Sequence, residues 1–294
     1  MKKYNTSKSY EPEVLKKLHT VQLEMLNDFI RVCDKHDLTY FVVYGTAIGA
    51  VRHQGFIPWD DDIDVAMLRR DYDKFCRIFN EELSEKYNLL TPIIDGRYAC
   101  TVTHIQKKGT KFITEVSKKQ KYEQNIFMDI FPLDKVANDR KKQIRQGKNA
   151  NFWGKLLFLS ENAYPVIPYE GIKGEMLAAG CKMIHVICKI FQLTPIKLYK
   201  KYVQTATEYN EKNGSEYVTS FEYVGCLKDK IKEKDLFPMK KIKFENLEVN
   251  IPANNDEFLR KVYGDYMKLP PENQRVNHMP YIIQFEGEAP IYNK

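Results

Sequence analysis

The stretch Thr39-Tyr-Phe-Val-Val-Tyr-Gly-Thr-Ala-Ile-Gly-Ala-Val-Arg-His-Gln-Gly-Phe-Ile-Pro-Trp-Asp-Asp-Asp-Ile-Asp-Val65 decides how this chain is read. Its first six residues are β-branched and aromatic and predict a strand. Gly45-Thr46 ends that strand and opens a short helix over 47–51. A second strand is expected over 62–67. Side chains alternate along a strand, so Asp60, Asp62 and Asp64 lean one way and Asp61, Ile63 and Val65 the other. Ile63 and Val65 then anchor the segment to a core while Asp62 and Asp64 point together into one site.

Two carboxylates that close repel unless a cation sits between them or one holds a proton. Hard oxygen donors without Cys neighbours favour Mg²⁺ or Mn²⁺, and magnesium is commonly held by one or two carboxylates together with substrate phosphates. A calcium loop would place Asp60, Asp62, Asp64 and Asp71 at positions 1, 3, 5 and 12. It needs Gly at position 6, where this chain has Val65. An inert acidic loop fits poorly with the apolar anchors Trp59, Ile63 and Val65 interleaved through it.

The turn at Gly45 and Thr46 supplies close backbone approach, a hydroxyl and the free N–H groups of a helix start, a combination that receives phosphate oxygens. Arg52 and His53, just past that helix, add positive charge for a diphosphate, or simply complement a helix C-terminus. A third carboxylate, Asp129, stands alone in the apolar run Asn125-Ile-Phe-Met-Asp-Ile-Phe131. Buried there, it requires a cation or hydrogen-bond donors. It is a candidate metal ligand or general base. Asp134 reads as a turn or helix-cap residue. Trp59 reads as a pocket wall able to face a cationic group, or as a core anchor.

Outward from this stretch, residues 11–36 carry Leu15, Leu18, Val21, Met25, Phe29 and Val32 at helical spacing. A second long helix is expected over 69–86, strands over 98–105, 111–116 and 125–131, and helical periodicity over 151–213. A hairpin turning near Asn246 and a short helix over 257–263 follow. Helix, strands and then helices argue for an α+β fold with a mixed sheet. We expect a catalytic core over 1–138 and a mostly helical part with a hairpin over 139–294 that completes the substrate cleft.

Of the 294 residues, 46 are basic and 39 acidic, a net charge of +7. That excess suits polyanionic substrates or an anionic membrane surface and is too dispersed for a duplex-DNA binder, so no nucleic-acid partner is expected. The six cysteines form no CxxC pair and read as free thiols of a reducing cytosol. A bilayer span needs about 20 mainly apolar residues. The most apolar stretch, 176–193, is interrupted by Lys182, His185 and Lys189 and reads as a core or amphipathic surface helix. The basic runs 107–121 and 140–155 are candidates for peripheral contact with an anionic membrane. The expected location is the cytoplasm, peripheral at the inner membrane face.

The segment Tyr44 to Asp64, with Met128-Asp-Ile-Phe-Pro-Leu-Asp134 and Tyr263-Gly-Asp-Tyr-Met-Lys-Leu-Pro-Pro271, resembles the LicD family, related to the fukutin group within the nucleotidyltransferase superfamily. The resemblance implies a nucleotidyltransferase-type mixed sheet flanked by helices. Gly45 and Thr46 would stand at the glycine signature, Asp62 and Asp64 at the metal-binding pair, Asp129 at the third acidic position, with Asp60 supplementing the pair. It further implies transfer of phosphocholine or a phospho-alditol from a CDP-linked donor to a hydroxyl of a surface glycan or lipid-linked precursor. The chain departs from the pattern at His278-Met279, where family members often carry adjacent histidines; His278 is a candidate substrate contact. Two other functions use the same residues: transfer of a nucleoside monophosphate from an NTP, and non-catalytic nucleotide or glycan binding at a decayed site.

Overall fold

A computed structural model describes residues 10–211, 215–222 and 225–293. Helix α1 (Pro12–Lys35) starts with proline in its first turn, where the missing N–H costs nothing. It buries Leu18, Met25, Leu26, Phe29, Val32 and Cys33. Strand β1 is shorter than the residue pattern predicts, Phe41–Val42, because Tyr44 takes a left-handed backbone (φ 49°) and starts α2 (Tyr44–His53). Strand β2 also begins late, at Asp64, and runs to Leu68. Residues 60–63 are therefore irregular, and the strict alternation expected for the aspartates does not hold there.

Helix α3 (Arg69–Glu82) ends four residues before the expected stop, and strand β3 (Tyr87–Leu90), unforeseen from the sequence, follows. Strands β4 (Thr103–Lys107), β5 (Lys111–Ile113) and β6 (Phe127–Lys135) complete the first half. Asp134 lies inside β6 rather than at a turn or cap. It is buried and takes a bidentate pair from Arg69 at 2.8 and 2.6 Å.

Three helices come next: α4 (Arg140–Glu161), α5 (Gly171–Ile190) and α6 (Pro195–Ala206). Asp139 caps α4 by accepting from Lys142 N. Among the described residues, no single helix is long and apolar enough to cross a membrane; α5 and α6 together meet that test, but they are bent by 103°. Strands β7 (Tyr217–Thr219) and β8 (Ile231–Lys232), the hairpin β9 (Lys240–Phe244) and β10 (Leu247–Ile251), helix α7 (Asn255–Tyr263), and strands β11 (Ile282–Gln284) and β12 (Ile291–Tyr292) finish the chain.

The fold is α+β. Its main sheet has seven strands, with the path β1-β2-β6-β4-β3 and with β7 and β8 continuing from β6. Among the described residues only β2 and β6 run parallel in it; the other pairs of that sheet are antiparallel. Proline is normally excluded from a central strand because it cannot donate to the ladder. Pro132 is tolerated in β6 because it falls where that edge of the strand changes partners. Ile130 is the last residue paired with β4 and Asp134 the first paired with β7. Phe244, Val249, Phe258, Leu259, Ile283 and Phe285 return to the core formed by α1 and the sheet.

Candidate active site

The parallel pairing of β2 and β6 sets Asp64 directly opposite Asp129. Thr46 and Ile63 fix the pair: Asp64 N donates to Thr46 Oγ1 at 2.8 Å, and Asp129 N donates to Ile63 O at 2.8 Å. The Thr46 hydroxyl is thus committed to holding the start of β2 and is buried. Gly45 has a local task as well. A Cβ there would stand 2.7 Å from Asp60 Oδ2, so glycine is what lets that carboxylate reach the start of α2.

Burial and mutual repulsion define the electrostatics. Asp64 is held well above the usual carboxylate range by burial and then by the charges of Asp62, Asp129 and Asp60. Burial and the Asp62 charge do the same to Asp129. Asp60 is raised by burial, Asp62 and Asp61. Asp62 raises all three, and His278 lowers all three. Asp129 Oδ1 is buried without a hydrogen-bond partner, although His104 Nε2 lies 3.1 Å away out of alignment. A buried Asp129 oxygen without a partner, beside carboxylates that raise one another, is donor chemistry that suits a hard divalent cation, although the ligand atoms within ion-sharing distance among the described residues are those of Asp61, Asp62 and His278.

Asp61 belongs to a different arrangement. Its oxygens accept from Tyr10 Oη at 2.6 Å and from His278 N at 2.9 Å, and its carbonyl accepts from Gln22 at 2.7 Å. His278 Nδ1 stands 3.2 Å from both Asp61 Oδ1 and Asp62 Oδ2. Hydrogen bonds to those two side chains raise the imidazole, which carries charge at neutral pH. Asp61, Asp62 and His278 lie close enough to share an ion, and in its absence the imidazole supplies the positive charge beside the two carboxylates.

The remaining residues singled out in the sequence are placed as follows. Arg52 donates to the carbonyl of Tyr266 and, at 2.9 Å, to His53 Nε2; it lies near enough to Asp60 for the two charges to interact. Burial and Arg52 lower His53, keeping it neutral. Trp59 packs on the core, and the guanidinium of Arg275 covers its ring at 4.5 Å from the centroid.

His104 escaped the sequence reading. It pairs with Asp129 across β4 and β6, stacks on Phe127 at 4.4 Å, and burial lowers it to about 3, so it is neutral beside the carboxylate. A lone histidine in a strand gave no signal; only register reveals it. A cleft of about 650 Å³ is lined by Cys100, Thr101, Gly154, Phe158, Phe221 and Glu222 among others, and none of Asp60, Asp62, Asp64 and Asp129 is in its wall. Cys100 feels the charges of both Glu222 and Asp129, which ties cleft to acidic centre.

Residues 37–163 match the family model described as LicD/FKTN/FKRP, nucleotidyltransferase domain. The lipopolysaccharide cholinephosphotransferase LicD of Haemophilus influenzae is 28% identical over 271 residues, covering 90% of this chain and 95% of the relative. Uncharacterised proteins of Rickettsia prowazekii and Rickettsia typhi are each 29% identical over 38% of this chain, covering 44% and 37% of their own lengths. The matched region contains Gly45, Asp60, Asp61, Asp62, Asp64, His104 and Asp129, and over it the chain is similar to the LicD family.

Proposed function

We propose that this enzyme transfers a phospho-alcohol group, phosphocholine or a related phospho-alditol, from a CDP-linked donor to a hydroxyl of a cell-surface glycan or its lipid-linked precursor. The observation that carries the reading is the pairing of Asp64 with Asp129 across β2 and β6, both raised by the charge of Asp62. It lies in a chain that aligns almost end to end with a lipopolysaccharide cholinephosphotransferase. Asp62, Asp64 and Asp129 would hold Mg²⁺ or Mn²⁺, with Asp60 in support; when bound, the cation neutralises phosphate oxygens.

The chain's own groups account for the rest. Gly45 and the first turn of α2 lie beside Asp60, where a diphosphate can approach. Cationic His278, with Arg52 nearby, offsets charge on the departing cytidine monophosphate. Asp129 Oδ1 takes the proton of the acceptor hydroxyl as its oxygen attacks the phosphorus bearing the alcohol. The new P–O bond forms as the P–O bond to cytidine monophosphate breaks. Neutral His104 keeps an uncharged nitrogen next to that oxygen and adds no competing charge. The cleft lined by Phe158, Phe221 and Glu222 receives the alcohol or the acceptor sugar. The setting is the cytoplasm, peripheral to the inner membrane, where lipid-linked acceptors and nucleotide donors meet.

The test supplies CDP-choline, CDP-ribitol, CDP-glycerol and, separately, NTPs with Mg²⁺ or with chelator. Consumption of one CDP-alcohol with release of cytidine monophosphate, abolished by chelator, is expected. Consumption of an NTP with pyrophosphate release would establish nucleotidyl transfer instead, and no metal-dependent binding of either would indicate a non-catalytic module.

A further inference from the structure

Helix α5 is amphipathic in the reverse of the usual sense. Surface helices normally turn their apolar stripe toward the core. In α5 the protein-facing positions are Gly174, Cys181 and Cys188, spaced by seven, of which Gly174 and Cys188 are buried. His185 on the same side reaches Leu159 O of α4 at 2.8 Å. At roughly 100° per residue, Ile172, Met176, Met183, Val186, Ile187 and Ile190 fall within one arc on the opposite side, and all are exposed. Ile172 is 77%, Met176 69%, Met183 61% and Ile190 68% exposed. Phe191 continues the patch beyond the helix, and Tyr164, Val166 and Tyr169 are exposed in the segment leading into it. Contiguous exposed apolar surface of this extent marks an interaction site.

Charge identifies the occupant. Lys173 flanks the apolar arc on one side and Lys182 and Lys189 on the other, with Glu175 the acidic residue of the helix among them. From Arg140 to Ala206 the chain carries 12 basic and 3 acidic residues, a net +9 against +7 for the whole chain, so everything outside this region sums to −2. The protein's entire positive excess is gathered on the three-helix segment that bears the apolar face. A second copy would bring the same charge against itself, whereas an anionic lipid surface brings the complement. A helix with an apolar arc bordered by lysines, too short and too interrupted to span, lies in the plane of a bilayer interface.

We infer that the outer face of α5 docks this protein on an anionic membrane surface. Pro165, Ile167 and Pro168 from the segment leading into α5, and Cys181 from its protein-facing side, line the cleft described above, so docking through α5 holds that cleft near the lipid interface. This surface stands independently of which donor the enzyme uses.

The full-length protein is sedimented with vesicles of phosphatidylcholine alone or containing roughly 30% phosphatidylglycerol. We expect binding only to the anionic vesicles, weakened by added salt. Met176→Glu with Met183→Glu and Ile190→Glu should reduce it about tenfold or more, with circular dichroism and nucleotide binding unchanged. Lys173→Gln with Lys182→Gln and Lys189→Gln should remove the preference for anionic lipid. Failure to sediment, binding untouched by the glutamate substitutions, or a concentration-dependent dimer abolished by them without lipid binding would each overturn the inference, the last in favour of self-association.

Discussion

Asp64 and Asp129 are register partners across the parallel strand pair β2 and β6, and the charge of Asp129 adds to the burial that raises Asp64. The fold sets this proximity through two backbone hydrogen bonds, Asp64 N to Thr46 and Asp129 N to Ile63. Removing one negative charge should relieve repulsion while stripping the site of a ligand or base. Asp62→Asn, Asp64→Asn and Asp129→Asn are each expected to lower turnover about a hundredfold or more, with melting temperature unchanged or higher. Asp129→Asn should retain donor binding. Turnover that survives these changes, or melting that falls with them, would make the cluster a structural one.

Two glycines of α2 separate site from scaffold. At Gly49 an added Cβ would sit 2.4 Å from the backbone oxygen of Gly55, which cannot swing away. Gly49→Ala should cost about 1–3 kcal/mol of stability through overpacking. At Gly45 the obstacle is the Asp60 carboxylate, which can rotate at the expense of its placement. Gly45→Ala should therefore leave melting nearly unchanged and weaken metal-dependent donor binding. Urea unfolding and a donor titration on both variants check the contrast; equal stability losses would remove the special role of Gly45.

The periodic parts of the chain were legible from residues alone. The stripe of α1 and the hairpin β9–β10 follow local patterns that tertiary packing reinforces. The acidic cluster was visible as a cluster, but its partition was not. Strand alternation assigns Asp61 to the side opposite Asp62, yet the strand starts only at Asp64. Asp61 is instead taken up by Tyr10, Gln22 and His278, residues that no local rule connects. His104 and the Arg69–Asp134 pair were hidden for the same reason, since both depend on strand register and long-range contact. Lys107, read as part of a basic run able to meet an anionic membrane, is instead buried and pairs with Glu24 at 3.0 Å. Helix α5 was ambiguous between core and surface because apolar periodicity does not say which way the stripe faces.

The Arg69–Asp134 pair should dominate local stability. Arg69 and Asp134 side chains are 11% and 1% exposed, and Asn210 Nδ2 donates to Asp134 Oδ1 at 2.8 Å, so the carboxylate is well satisfied. Breaking one side of such a pair leaves an uncompensated buried charge, typically about 3–5 kcal/mol. Asp134→Ala is expected to lose that much in urea unfolding, and Arg69→Met combined with Asp134→Leu should recover most of it. A double variant as unstable as the single one would show that the pair itself is needed.

Glu222 makes stability depend on pH in the alkaline direction. Both of its carboxylate oxygens are buried without a hydrogen-bond partner, and burial pushes the group up from 4.5 to about 8, with Thr101, Arg69 and Tyr202 pulling the other way. Ionisation is easier in the unfolded chain, where the group keeps its ordinary value. The stability gained by keeping Glu222 neutral is therefore fully present below about pH 4.5 and is lost as pH rises through about 8. Glu222→Gln stays neutral throughout, so its melting temperature should fall less than the parent's between pH 6 and 9 (taken as roughly the window of this titration). The difference at the alkaline end should correspond to at most a few kcal/mol. Parallel melting curves for the two proteins across that window would mean that the carboxylate already titrates against solvent in the folded state.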